Sequence, residues 1–297
     1  VPDIVNRAYQ VRHLTFGPGY FIPKPVDPRL ITEVSMAVAK AAMDSGVART
    51  PITDWKAYRQ RLRELMGQET KFTQNLFETV RLHPKRVVFA EGSHPKMLQA
   101  AVQAKEEGFC HPVLLGNEEE IKCIADELEL SLDGCELVNL RDNSESERRL
   151  RYAKILAQKR EREGFNLEVA RDKMFERNYF GMMMVETGDA DAFITGLYTR
   201  YTGTIQAAKE VIGIRPGYAH FGALHLVSSK NGICFFGDTL INRDPDEHAL
   251  YDLARLAASG VRFFNRTPAM AMISYSNFGS DEDGKPAVVH RVVERMQ

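Results

Sequence analysis

The sequence predicts an α/β fold: mixed, mostly parallel sheets covered by helices. Two observations carry this. From residue 84, short apolar runs alternate with helical patterns: "RVVFAEG", then "HPKMLQAAVQAKEEGF", then "HPVLLG", then "NEEEIKCIADELEL", then "CELVNL". Strands that are apolar on both faces belong in a parallel sheet with helices on each side. Further on, "SSKNGICFFG" places Asn231 and Gly232 between apolar runs, a tight-hairpin signal that makes one part of the sheet antiparallel.

The elements follow in order. Residues 1 to 30 read as irregular, since Pro18, Pro23, Pro25 and Pro28 punctuate "FGPGYFIPKPVDPRL" and exclude a helix. That Pro/Gly loop reads as a connection rather than a binding loop. "PRLITEVSMAVAKAAMDSGVA" reads as a helix from Pro28 to Gly46, and "TDWKAYRQRLRELMG" as a shorter one, capped by Thr53 or Asp54 and stopped by Gly67. The polar stretch that follows is read as a linker over 68–83. Asn117 reads as a helix cap with acidic residues in the first turn behind it. "ESERRLRYAKILAQKREREGFNLEVARDKM" is a helix, a Gly turn and a second helix. Its arginines from Arg148 to Arg162 read as a solvated face with pairs such as Lys159 and Glu163. "DAFITG", "YAHFGALHLVSS", "GICFFGDTLIN" and "PAMAMISYS" are further strands, and "DEHALYDLARLAASGVRFF" is a helix between the last two.

Composition narrows the function classes. Lys+Arg 39 against Asp+Glu 40 leaves a net charge of −1, so no overall field draws nucleic acid or an anionic membrane. Cys110, Cys123, Cys135 and Cys234 form no C-x-x-C pair, which disfavours zinc and reads as four partly buried thiols of a reduced, cytoplasmic chain. No run approaches the roughly 18 apolar residues of a membrane span. The start "VPDIVNRAYQ" is unlike a signal peptide and lacks Met, which reads as the interior of a longer parent.

No phosphate-binding P-loop, dinucleotide fingerprint, serine elbow or H-E-x-x-H is present. Three clusters remain. The turn "GLYTRYTGT" joins a strand to a helix, with hydroxyls Thr199, Thr202 and Thr204, the cation Arg200, and Gln206 in the helix's first turn. Free amides there could cradle an oxyanion, or the turn is only a cap. "SYSNFGS", Ser274 to Ser280, follows an apolar run, where open α/β sheets bind ligands, or it is only a polar turn. In "GDTLINRDPDEHAL", Asp244 or Asp246 reads as a cap beside Pro245.

Together "RVVFAEGSHPKMLQAA", "HPVLLGNEEEI", "FERNYFGMMMVETGDADAFITG", "GDTLIN" and "AMISYSNFGS" resemble, in order and spacing, the phosphate acetyltransferase (phosphotransacetylase) family. Residues 16 to 66 are similar to the C-terminal end of a bacterial malic enzyme. The tandem resembles the hybrid NADP-dependent malic enzymes. The resemblance implies a malic tail over 1–67, the linker, and an incomplete two-subdomain phosphotransacetylase-like domain over 84–297. It implies a parent that oxidises and decarboxylates malate to pyruvate with NADP and Mg or Mn. That chemistry's residues would precede Val1, and the family's Ser-Arg and Asp catalytic positions would follow Gln297. It also implies a homo-oligomer, a dimer or higher, with no nucleic-acid or membrane partner.

The family's transferases bind coenzyme A between the subdomains. Arg160 matches one coenzyme-binding arginine. A second arginine lies in a pattern like H-[ST]-[ST]-x-D-T-[IL]-R-P, where this chain has Thr199, Gly203, Gln206 and Ala207. The family's SYSTKGS becomes SYSNFGS: Ser274, Tyr275, Ser276, Gly279 and Ser280 stay, while Asn277 and Phe278 replace Thr and Lys. Gln cannot supply arginine's charged fork, and a lost oxyanion donor commonly costs about 3 kcal/mol. The expectation is a regulatory domain that binds acetyl-CoA as an allosteric inhibitor through Arg160, Thr199, Arg200, Thr202, Thr204, Gln206, Ser274, Tyr275, Ser276, Gly279 and Ser280, with no catalysis of its own. An active transferase and a purely oligomerising module are the alternatives.

Overall fold

A computed structural model describes residues 1, 3–9, 11, 14–27, 29–65, 71–229, 232–276, 281 and 283–297. The chain divides into two compact units, Val1–Glu78 and Thr79–Gln297.

The first unit is helical: α1 (Asp3–Ala8), α2 (Arg29–Asp44), α3 (Trp55–Leu65) and the start of α4 (Lys71–Leu82). The expectation of irregular chain over 1–30 fails at α1, which lies ahead of the prolines, with Val5 fully buried. The expected linker is also corrected: most of 68–83 is α4, whose apolar residues recur at helical spacing, and the division between units falls inside it. Asp27 accepts the Arg29 amide at 3.0 Å as α2 begins, and Asp54 accepts the Ala57 amide at 2.9 Å as α3 begins. Gly46 ends α2 with φ 75°. Pro28 and Gly67 lie outside the described residues.

The second unit holds β1 (Lys85–Phe89), α5 (Pro95–Glu106), β2 (Cys110–Leu115), α6 (Glu118–Glu127), β3 (Glu136–Val138), α7 (Ser146–Lys159), α8 (Leu167–Lys173), α9 (Arg177–Glu186), β4 (Ala192–Ile194) and α10 (Tyr201–Val211). The strands form one parallel sheet in the order β3-β2-β1-β4. Both faces are apolar, as the runs predict. Val88, Val113 and Leu115 face a cluster with Tyr152, Phe180 and Met183. Phe89 and Leu114 face Leu98, Val102 and Ile121. The helices start where capping residues stand: His94 before Pro95, Asn117 before α6, Asn166 before α8. Gly164, with φ 88°, makes the predicted turn between α7 and α8.

The hairpin is β5 (Leu224–Ser229) paired antiparallel with β6 (Gly232–Gly237). Gly232 has φ 123°, and Asn231 lies outside the described residues. Asp246 caps α11 (Glu247–Phe263) by accepting the Ala249 amide at 2.8 Å. α12 (Gly284–Met296) follows.

Two further expectations are corrected. "PAMAMISYS" forms no strand: no described strand pairs with it, and Ile273 is 84% exposed. Lys159 does not pair with Glu163. It pairs with Glu186 and donates to the Val211 carbonyl at 2.8 Å, because the helix termini converge there. Of the thiols, Cys110 is buried and Cys135 half-buried, while Cys123 and Cys234 are exposed. No helix among the described residues is long and apolar enough to cross a membrane.

Candidate functional site

The order β3-β2-β1-β4 makes β1 the turning point of the sheet. The chain leaves β1 toward β2 on one side, and β4 returns on the other. Crevices form at the carboxyl ends of such a pair, where the two following loops part. Glu91 to His94 follow β1, and Thr195 to Arg200 follow β4.

Glu91 is 1% exposed. Its Oε1 accepts the Thr195 hydroxyl at 3.0 Å and the amides of Gly196, Leu197 and Tyr198 at 3.2, 3.3 and 3.4 Å. The amides expected to be free in this part of the turn are therefore taken by a carboxylate of the chain itself. Thr195 Oγ1 also lies 3.0 Å from Asn178 Oδ1, and Asn178 Nδ2 donates to Thr204 Oγ1 at 3.2 Å. A partly buried polar chain thus runs from the end of β1 through α9 to α10. The Tyr198 ring sits 5.0 Å from the His94 ring, and the Arg177 guanidinium lies 5.5 Å from its centroid.

α10 begins beyond this turn. Arg200 is its exposed N-cap residue, and its side chain makes no hydrogen bond or ion pair among the described residues. Thr202 is exposed and Thr199 half-buried. Gly203 sits against the Thr199 methyl, 3.7 Å from where a Cβ would stand. Gln206 donates to Glu210 one turn on, and Glu210 also accepts the Tyr179 hydroxyl. Burial, with the Glu210 carboxylate beside it, pushes the Tyr179 phenol well up. Gln206 is thus bound along its own helix.

Arg160 lies at the far end of α10. Its guanidinium donates to the Glu210 carbonyl at 2.6 Å, the Lys209 carbonyl at 2.9 Å and the Glu163 carboxylate at 2.8 Å. A cation on a helix C-terminus matches the exposed carbonyls and the helix dipole.

Asp238 organises the loop after β6. It accepts the amides of Ala223, Leu240, Ile241 and Asn242 and the Asn242 side chain. Burial alone would raise its carboxyl, but these donors outweigh that and hold it below the ordinary carboxylate value. Its charge reaches Tyr201 at the start of α10, whose phenol is raised by burial and by Asp238.

The serine segment is held separately. Ser274 Oγ accepts the Ser276 amide at 3.4 Å, and Ser276 Oγ accepts the Asp281 amide at 3.2 Å. Tyr275 is 75% exposed. Gly279 and Ser280 lie outside the described residues.

The sequence reading missed Glu91, Asn178 and Thr195. An acidic residue directly after a wholly apolar strand was the available signal for Glu91. Among the described residues no three His, Cys, Asp or Glu side chains gather where they could hold a metal ion.

Residues 71–297 match the family model for phosphate acetyl/butaryl transferase. The NADP-dependent malic enzyme of Salmonella typhimurium is 36% identical over 99% of this chain, which spans 39% of that protein's length. The phosphate acetyltransferase of Nitratidesulfovibrio vulgaris is 32% identical over 75% of this chain and 31% of its own. The solved EutD phosphotransacetylase from Staphylococcus aureus superposes with a TM-score of 0.66 at 26% identity, covering 75% of this chain and 67% of that one. With the parallel sheet, its switch point at β1 and a family match across the whole second unit, the chain belongs to the phosphate acetyl/butaryl transferase family.

Proposed function

We propose that this chain is the phosphotransacetylase-like part of an NADP-dependent malic enzyme and serves that enzyme as a regulatory domain. It binds acetyl-CoA as an allosteric inhibitor and helps to assemble a homo-oligomer in the cytoplasm. Malate oxidation, NADP and Mg or Mn belong to the malic part of the enzyme. The observation that carries the reading is whole-chain similarity to malic enzymes, in a chain whose Gln206 is bound to Glu210. A ligand that favours one conformation shifts the equilibrium toward it, and acetyl-CoA binding would thereby lower malic activity. The ligand surface in this reading is Thr199, Arg200, Thr202 and Thr204 with Ser274, Tyr275, Ser276, Gly279 and Ser280. Arg160 and Gln206 support α10 from its far end and its flank.

The Arg200 guanidinium, unpaired among the described residues, favours a second reading, an active transferase in which it replaces the family's arginine. One experiment separates the two. Acetyl-CoA is titrated against thermal stability, and acetyl phosphate formation is assayed with phosphate present. A saturable upward shift without acetyl phosphate supports regulation. Turnover abolished by Arg200→Ala supports the transferase. No shift and no turnover leave oligomerisation alone.

A further inference from the structure

A run of successive amides turned toward one point is a ready anion site. Gly196, Leu197 and Tyr198 form such a run, at the carboxyl end of β4 beside the switch point of the sheet. In this chain the run already holds an anion. Glu91 reaches it from the end of β1 and places a single oxygen, Oε1, against all three amides and the Thr195 hydroxyl.

The carboxylate is built in. Gly92 follows it, and a Cβ there would stand 2.9 Å from the Leu115 carbonyl oxygen and 3.1 Å from Ile121 Cδ1. The Gly92 amide donates to that same carbonyl at 3.0 Å. The backbone directly after Glu91 is therefore held against β2. Gly196 has φ 135°, a conformation open to glycine, as the chain turns its amide toward Glu91. The arrangement is costly: Glu91 Oε2 is buried without a hydrogen-bond partner among the described residues. An uncompensated buried carboxylate oxygen is expensive. The contacts of Oε1 offset that cost.

We propose that Glu91 is a resident anion that occupies the amide run at Gly196–Tyr198 and excludes external phosphate and carboxylate groups from it. Glu91 is then a specificity-determining residue of this corner of the sheet. A ligand meets an already occupied turn at that corner, and its phosphates must be held elsewhere. The inference stands whether or not acetyl-CoA is the effector, because it concerns only which chemical groups this corner accepts.

The test is an amide NMR titration of the chain with inorganic phosphate, following Gly196, Leu197 and Tyr198 in wild type, Glu91→Ala and Glu91→Gln. In wild type the three amides stay in place. Glu91→Ala empties the run and gains saturable shifts there, with phosphate affinity raised about tenfold or more. Glu91→Gln keeps a carbonyl oxygen for the amides, so it stays closed like wild type, which a plain loss of charge would not explain. Saturable phosphate shifts at these amides in wild type overturn the proposal. So does a folded Glu91→Ala that gains no binding, or a Glu91→Gln that opens as Ala does. Should Glu91→Ala lose its fold, Glu91→Ser, whose hydroxyl is too short to reach the amides, takes its place in the same titration with the same two outcomes.

Discussion

Asn178 Nδ2 donates to Thr204 Oγ1 at 3.2 Å, and through that bond the buried helix α9 fixes where α10 lies. Asn178 is 6% exposed and also meets Thr195 through Oδ1. Replacing it with Ala removes the donor to the half-buried Thr204 hydroxyl and leaves Thr195 with Glu91 alone. Asn178→Ala should lose roughly 1–3 kcal/mol of stability in urea unfolding. Asn178→Asp keeps Oδ1 but loses the donor to Thr204, and should fall in the same direction.

Gly181 lets α9 pack directly on β4. A Cβ there would lie 2.3 Å from Phe193 Cε2 and 3.1 Å from Leu115 Cδ1. Ala is the better helix former, yet the ring has to move, and overpacking of this kind commonly costs about 1–3 kcal/mol. Gly181→Ala should therefore destabilise the chain. In a Phe193→Leu background the same change should cost distinctly less, a non-additivity that a double-mutant cycle reads directly.

Tyr152 is fully buried and donates its hydroxyl to Asp189. Burial, and then that bond, push the phenol from 10.0 up to about 12. A folded value above the unfolded one contributes stability that is complete below pH 10.0 and is lost as pH rises through about 12. Tyr152→Phe should be less stable than wild type at neutral pH by about 1 kcal/mol. That gap should narrow as unfolding midpoints are followed into the alkaline range.

Arg160 separates a structural from a ligand role. Its guanidinium holds the last carbonyls of α10, so Arg160→Ala should cost roughly 1–3 kcal/mol in stability. Acetyl-CoA affinity should change little. A direct contact with a coenzyme phosphate would instead cost about tenfold or more in affinity.

Much of this architecture was legible because local rules and tertiary packing agree. The apolar runs at Val87–Phe89 and Val113–Leu115 are buried on both faces, so they read plainly as parallel strands. Asn117 and Asp246 cap helices as their positions suggest. α9 was not read as a helix because it is apolar all round, with Phe180, Met182, Met183 and Met184 all buried, and such a helix has no polar face to mark its period. "AMAMI" misled in the opposite direction, since an apolar run becomes a strand only when a partner strand reaches it. In the site, the hydroxyls of the turn were visible in the sequence. The carboxylate that holds the turn's amides was not, because Glu91 and Gly196 meet only through the pairing of β1 with β4.

That pairing also orders events during folding. β1, β2 and β3 lie within residues 85–138 and can assemble through short-range crossovers as that stretch emerges. β4 joins β1 only after the long helical excursion that ends at Ala192. Contacts so distant along the chain carry the larger loop-closure cost and form late. Until they form, Glu91 is a solvated acid and the amides after β4 are solvated too. The junction of Glu91 with the turn after β4 is then a product of β4's arrival, and a chain stalled before it would hold three strands with Glu91 still in solvent.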